Sequence, residues 1–364
     1  MIIIHSADQH LDSKLTANLS KEKAKERKAE ILITFKNMIE HARDIGAKAV
    51  LLAGDLFDTK TVAATERKAV ESAIRDNPEI LFFYLKGNHD MNSFLSSLDQ
   101  MPDNLKLFND KWTTYELTDT ISITGAELNK NNELSLYNEL SLDSRCFNIV
   151  MLHGQENEYQ AKDKTEVIAL NELRNRSIDY LALGHVHEYK YKELDARGAY
   201  CYPGCLEGRG FDETGNHGFV VLDIDEANRT FTHEFVSMSR RVLHEVELDV
   251  TDASSTSDIE KLVARALSSK VDSIRKKDLL KIVLTGSILG ECDVDIAYLT
   301  KCFEDDYYFV KLKDKTNIKI DYTRYKHDQS LKGEFVRMVY SDSDLSDEEK
   351  AQIITKGIEL LKAD

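Results

Sequence analysis

The chain has 364 residues, 42% of them apolar, with three prolines and 16 glycines: enough for about two globular domains and too few for a Pro-rich or Gly-rich linker. Its formal net charge of −16, from 64 acidic against 48 basic residues, argues against a protein held to nucleic acid by global electrostatics. A local binding surface stays open, because bound dications supply positive charge where phosphate must sit.

Residues 2–6 read as a strand, and "SKEKAKERKAEILITFKNMIEHARDIG" as a long helix with Ser20 as N-cap and Gly46 as terminator. "AKAVLLAGD" is a buried strand by its continuous apolar character, "VAATERKAVESAIRD" a second helix, and "EILFFYL" the next strand. "WTTYELTDTISITG" alternates across a polar turn and predicts a β-hairpin. The strand "CFNIVML", a helix around residues 166–176 and the strand "IDYLALG" follow. "YKYKEL", "GFVVLDI" and "TFTHEFVSM" predict three more strands, the last two joined by a turn near Asn228.

This αβ rhythm of a sheet with covering helices changes at about Ser239, so two domains are expected, 1–238 and 239–364. In the second, "DIEKLVARALSSKV" and "DVDIAYLTKCF" look helical and "LLKIVLTG" like a strand. "YFVKLKD" with "NIKIDYT" reads as a pair of strands. "SDEEKAQIITKGIELLKAD" closes the chain as an amphipathic helix with acids in its first turn. The unit is small, α+β, and holds no dense polar cluster.

The longest apolar runs, "AVLLAG" and "FNIVML", are strand-sized and far below a membrane span. "MIIIHSADQH" lacks the basic start and cleavage site of a secretory signal. Cys146, Cys201, Cys205, Cys292 and Cys302 form no CxxC pair and predict reduced thiols. Together these features predict a cytoplasmic protein without membrane association.

Chemistry concentrates at five strand ends. "SADQH" places Asp8 and His10 two apart, a spacing that in extended backbone puts both on one face. "LLAGDLFD" carries Asp55 and Asp58, "LKGNHD" carries Asn88, His89 and Asp90, "VMLHGQ" carries His153, and "LALGHVHEYK" carries His185 and His187. Alone, Asn88 is a turn residue, Asp8 with His10 a strand-end hydrogen bond, and His185 with His187 a polar strand face. Ligands of open α/β sheets sit beyond the carboxyl ends of strands, so the five ends are expected to converge.

Mixed imidazole and carboxylate donors suit Mn, Fe or Zn better than Mg or Ca. Seven candidate ligands are too many for one ion with open positions, whereas two ions about 3.5–4 Å apart clamp both oxygens of a phosphoryl displacement. Glycines 54, 87, 154 and 184 would let the backbone turn sharply and approach such ions without a Cβ in the way.

The ordered set D-x-H, G-D-x-x-D, G-N-H-D, H-G and G-H-x-H, over residues 8–187, resembles the calcineurin-like metallophosphoesterase superfamily. "HSADQHLDS", "GDLFD" and "YCYPGCLEGRGFDETGNHGFVVLDI" resemble its SbcD-type DNA repair exonucleases, including the YhaO-like branch. Gln9 departs from an expected aromatic or aliphatic residue and Cys205 from a serine, and the segment after GDLFD lacks the family's frequent proline.

The resemblance implies an αββα sandwich of two sheets followed by a small α+β capping domain. It implies that Asp8, His10 and His187 hold a first ion, that Asn88, His153 and His185 hold a second, and that Asp55 bridges them. A carboxylate's two oxygens suit that bridge on chemical grounds as well. A hydroxide between the ions, manganese by preference, would attack phosphorus in line. His89 would protonate the leaving oxygen or stabilise the transition state. Asp90 would orient a ligand histidine, and Asp58 would either do the same or sit at a turn.

The implied activity is exonuclease action on duplex DNA and nicking of single strands, with an SbcC-type coiled-coil ATPase and a homodimer as partners. A phosphoesterase for a small phosphodiester such as a cyclic nucleotide is the alternative, favoured by the acidic charge. A catalytically silent metal-bound scaffold is the third reading. Of the remaining residues, His5 is expected as a satisfied strand residue, His41 on a helix surface, and His217 as a hairpin-shaping residue. Arg209 is expected in an ion pair rather than on a substrate phosphate.

Overall fold

The computed structural model describes residues 1–15, 19–58, 62–90, 94–133, 135–156, 167–270, 273–289, 292, 294–320 and 322–362. They form two compact units, Met1–Val242 and Leu243–Asp364.

In the first unit β1 (Ile2–Ser6) is followed by α1 (Lys21–Asp44), β2 (Ala49–Ala53), α2 (Ala64–Arg75) and β3 (Leu81–Leu85). Ser20 caps α1 by accepting the Lys23 N–H at 3.3 Å, and Gly46 at φ +70° closes it. The run β4 (Leu105–Leu107), β5 (Thr113–Glu116) and β6 (Ile121–Gly125) includes the expected hairpin, since β5 and β6 pair antiparallel.

Next come α3 (Leu136–Glu139), β7 (Phe147–His153) and the two short paired strands β8 (Gln155–Glu156) and β9 (Val167–Ile168). The helix expected around 166–176 shrinks to one turn, α4 (Leu170–Leu173), and residue 166 lies outside the described residues. Asn175 and Ser177 take φ of +59° and +63°, and the Asn175 N–H goes to the Asp195 side chain at 2.6 Å, so the chain leaves the helix there. β10 (Tyr180–Gly184), β11 (Lys190–Glu193), β12 (Ala199–Tyr202), β13 (Gly218–Asp225) and β14 (Thr230–Ser237) complete the unit. β4 and β12, of three and four residues, are too short to show a sequence period and were not anticipated.

Two six-stranded sheets result, ordered β14-β13-β1-β2-β3-β4 and β11-β12-β10-β7-β6-β5. Within them β1 to β4 run parallel, as do β6, β7, β10 and β12. Strand alternation splits each buried strand between two cores. Ile3, Leu51, Phe83, Ile149, Met151 and Ala182 fill the space between the sheets. Ile4, Val50, Leu52 and Phe82 pack outward on Phe35, Met38, Val70 and Ile74 of α1 and α2. Val150, Leu152, Leu181 and Leu183 pack outward on Leu136, Leu170 and Leu173. The layers are therefore α, β, β and α, the sandwich of two sheets that the resemblance implies.

The second unit opens with an unanticipated strand, β15 (Leu243–Asp249), a few residues beyond the expected boundary. α5 (Thr256–Ser268), β16 (Leu279–Thr285), β17 (Ser287–Leu289), α6 (Ile296–Phe303), β18 (Phe309–Asp314) and β19 (Asn317–Lys319) follow. β18 and β19 do not pair with each other: β18 joins β15 and β16 in a parallel sheet, and β19 pairs with β17. Burial decides this, because Val310 and Leu312 belong to the core over β16. α7 (Tyr322–Tyr325), α8 (Leu331–Tyr340) and α9 (Asp347–Lys362) end the unit around Val336, Ile354 and Ile358. Among the described residues no helix is long and apolar enough to cross a membrane.

Candidate metal centre

β1, β2 and β3 are neighbours in one sheet and β7 and β10 in the other, so their carboxyl ends lie side by side within each layer. The approach at these ends is unusually close. A Cβ on Gly54, which sits at φ +92°, would run into the His153 ring. One on Gly184 would meet the Ala53 carbonyl. Glycine is required where two sheets press their loops together.

β1 stops at Ser6, and Asp8 and His10 lie past it in left-handed backbone at φ +53° and +45°. The extended-strand explanation of their spacing therefore fails. A loop instead folds back along the end of β2, with Asp8 N–H on Gly54 O and His10 N–H on Asp55 O, each at 3.0 Å. Asp55 and His185 are also left-handed, at φ +52° and +97°. Four strained non-glycine residues at one place are a signature of a functional site, since the surrounding structure must stabilise each.

The side chains of all seven expected ligands come together in two linked groups, with Asn88 against the second. Ligating atoms of Asp8, His10 and His187 lie within 4.8 Å of one another, as do those of Asp55, His153 and His185. The Asn88 Oδ1 sits 3.2 Å from His153 Nε2. Asp55 Oδ2 reaches both groups, 3.4 Å from His153 Nε2 and 3.8 Å from His10 Nε2. A third group joins His10, Asp58 and His89, where the two imidazole Nδ1 atoms each lie 3.1 Å from Asp58 Oδ1. Asp8, His10, Asp55 and His153 are buried, whereas the His89 side chain is 46% exposed.

Outer nitrogens are tied down by acceptors. Nδ1 of His153 donates to the Ala53 carbonyl at 2.9 Å, that of His10 to Asp58 and that of His187 to Glu213 at 2.7 Å. Each pairing leaves Nε2 as the nitrogen turned to the cluster, the arrangement of a metal-ligating histidine. Two such nitrogens, on His10 and His187, face each other at 3.3 Å.

The field of the cluster pulls its groups apart. Burial opposes the Asp55 charge, yet His153 and His10 hold that carboxyl below its usual range. Burial also works against a charged His153, but Asp55 pushes it up to about 10. Burial raises Asp8 and lowers His185 to about 4. The hydrogen bond to Asp58 raises His89 above an ordinary imidazole, so His89 carries its proton more readily near neutral pH.

Two expectations change on contact with the geometry. Asp90 does not orient a histidine. Its carboxylate accepts the backbone N–H groups of Leu56, Phe57 and Gly87, pinning the GDLFD and GNHD loops together, and burial raises it to about 6. His41 is half-buried against Phe219 at 5.5 Å rather than on the surface. His5 is held in its strand as expected, with Nδ1 2.9 Å from the Tyr180 hydroxyl and a hydrogen bond to the Leu183 backbone. His217 does shape its loop, holding Glu213 O at 3.0 Å, and Arg209 is ion-paired to Glu213 at 2.9 Å. Glu213 itself was missed. It lies in the quoted "GRGFDETGNHGF" run, and only folding shows that it meets His187.

The family model for calcineurin-like phosphoesterases matches residues 1–189. An uncharacterized metallophosphoesterase, YhaO of Bacillus subtilis, is 26% identical over 79% of this chain and 72% of its own length. A DNA double-strand break repair protein, Mre11 of Aeropyrum pernix, is 25% identical over 77% of this chain and 71% of its own. A solved dimetal phosphatase from Danio rerio matches at 12% identity and a TM-score of 0.40 over 61% of this chain and 92% of that one.

Proposed function

The chain belongs to the calcineurin-like phosphoesterases, a family of metal-dependent phosphoester hydrolases, and from that premise we propose that it is a two-metal phosphodiesterase acting on DNA. The observation that carries the reading is the 3.3 Å approach of the His10 and His187 Nε2 atoms, whose Nδ1 partners are the carboxylates of Asp58 and Glu213. Two imidazole acceptors facing each other repel unless a cation or proton lies at their meeting point. The surrounding carboxylates and amide oxygen fit a dication.

Asp8, His10 and His187 would hold the first ion, Asn88, His153 and His185 the second, and Asp55 both. This mixed nitrogen and oxygen set favours manganese, with iron or zinc as alternatives. Bound ions would lower the pKa of a water and offset charge on the phosphate oxygens.

The remaining chemistry belongs to the chain. Asp58 holds His89 by Nδ1 and raises its affinity for a proton, leaving Nε2 to deliver that proton to the leaving oxygen. The exposure of His89 puts it where substrate can arrive. Asp90 and the glycine hinges keep the two loops in register.

DNA as substrate is supported by the repair protein among the relatives and by the SbcD-type motifs. The same resemblance adds a coiled-coil ATPase and a homodimer to the proposal. The net charge of −16 favours a second reading, hydrolysis of a small phosphodiester. Purified protein assayed on linear duplex, hairpin and cyclic-nucleotide substrates, each with Mn, Mg or chelator, separates them. The expected result is Mn-dependent DNA cleavage lost in Asp55→Ala. DNA left intact under every metal, with cyclic nucleotides turned over, would establish the second reading instead.

A further inference from the structure

The carboxylate of Glu213 is enclosed more tightly than a loop anchor requires. Its side chain is 8% exposed. Oε1 accepts from His187 Nδ1 at 2.7 Å and from Arg209 Nη2 at 2.9 Å, while Oε2 accepts the Arg209 backbone N–H at 2.7 Å. The backbone of Glu213 is fixed as well, because the His217 ring holds its carbonyl at 3.0 Å and that ring is met on its other nitrogen by Cys205 Sγ at 3.3 Å.

The loop carrying Arg209 and Glu213 is in turn locked to α1. Glu207 accepts from Arg27 Nη2 at 3.0 Å, from the Thr34 hydroxyl at 2.6 Å and from the Arg240 N–H at 2.6 Å. Arg27, 1% exposed, also donates to the Gly208 carbonyl at 2.9 Å. A buried ion-paired network that fixes this loop, together with a carboxylate whose Oε1 meets one imidazole nitrogen, has the form of a positioning device.

We infer that Glu213 is a positioning residue for His187. By accepting the Nδ1–H it sets the tautomer and ring angle that present Nε2 to the first ion, and Arg209 offsets the charge that Glu213 brings to the rim. The inference rests on the two-metal reading of the same residues. A loop anchor alone would not need the 2.7 Å contact with His187.

The test is a stepwise Mn(II) titration of metal-stripped protein by calorimetry against a competing chelator, comparing wild type with Glu213→Gln and Glu213→Asp. Gln keeps the shape and removes the charge; Asp keeps the charge and withdraws it from Nδ1. For Glu213→Asp one of two affinities should weaken by about 10–100-fold and the other stay within about two-fold, while Glu213→Gln, whose amide oxygen still accepts the Nδ1–H, should lose less of the same affinity than Asp. The melting temperature of the metal-free protein, measured alongside, confirms folding. Affinities that both fall together, or that both stay unchanged, would overturn the positioning role while leaving the two-metal reading intact. Wild-type protein that takes up no Mn(II) would overturn that reading itself, and the inference with it.

Discussion

Asp8 accepts the backbone N–H of His185 with both carboxylate oxygens, at 2.9 and 3.0 Å, across 177 positions of chain. This contact fastens the loop after β1 in one sheet to the loop after β10 in the other. It also leaves a fully buried carboxylate beside Asp55, a costly arrangement without a cation.

Asp8→Asn should therefore leave the metal-free protein as stable as wild type or more so, because an amide still accepts the His185 N–H without the buried charge. The same variant should lose most of the stabilisation that manganese confers. Thermal melts with and without Mn(II) check both; a wild-type gain of about 2.7 kcal/mol is expected at a hundredfold excess over Kd.

His89→Ala should lower turnover by about 10²–10⁴-fold, the range for loss of a general acid, with metal content unchanged. Metal analysis and steady-state rates on the same preparation make the comparison. Metal loss parallel to the rate loss would place His89 among the ligands instead.

Gly54→Ala should destabilise the protein by about 1–3 kcal/mol, since the residue holds φ +92° and its new Cβ would meet the His153 ring. Denaturant titration measures the loss. Uptake of the ion assigned to His153 should fall with it.

His5 gives the fold a defined acid sensitivity. Burial between the sheets lowers it from 6.5 to about 3. Above pH 6.5 neither the folded nor the unfolded chain carries this proton, and His5 adds no pH dependence. Below 6.5 the unfolded chain binds a proton that the folded one does not, so stability falls by about 1.4 kcal/mol per pH unit until about pH 3. Denaturant titrations of metal-free protein at successive pH values should show wild type losing more stability than His5→Gln across that window, and parallel curves would contradict it.

Much of this was legible in the residues. The strands that lead to Asp8, Asp55, Asn88, His153 and His185 announce themselves as short apolar runs, and the residue types at and beyond their ends are those that hold transition-metal dications. Hydropathy and donor chemistry are local properties of a chain, so they can be read in order. The hairpin at 113–125 and the cap at Ser20 were legible for the same reason.

What failed was whatever depends on approach through space. The resemblance gives Asp90 to a histidine, but the loop after β2 brings the Leu56 and Phe57 N–H groups to it, beside the Gly87 N–H of its own loop. The Asp8 and His10 spacing was read as strand geometry, though both residues are left-handed. β18 and β19, adjacent in the chain, go to different partners because the parallel core of the second unit claims the first of them.

By itself the sequence determined the fold class, the order of the strands that reach the site, and the chemical character of the site's donors. Only the tertiary structure decided which acceptor meets each imidazole: Asp58 for His10 and His89, Ala53 O for His153, and Glu213 for His187. The reason is physical. A donor's identity travels with its residue, whereas its tautomer and direction are set by a partner that reaches it only once two sheets and a distant loop have packed together.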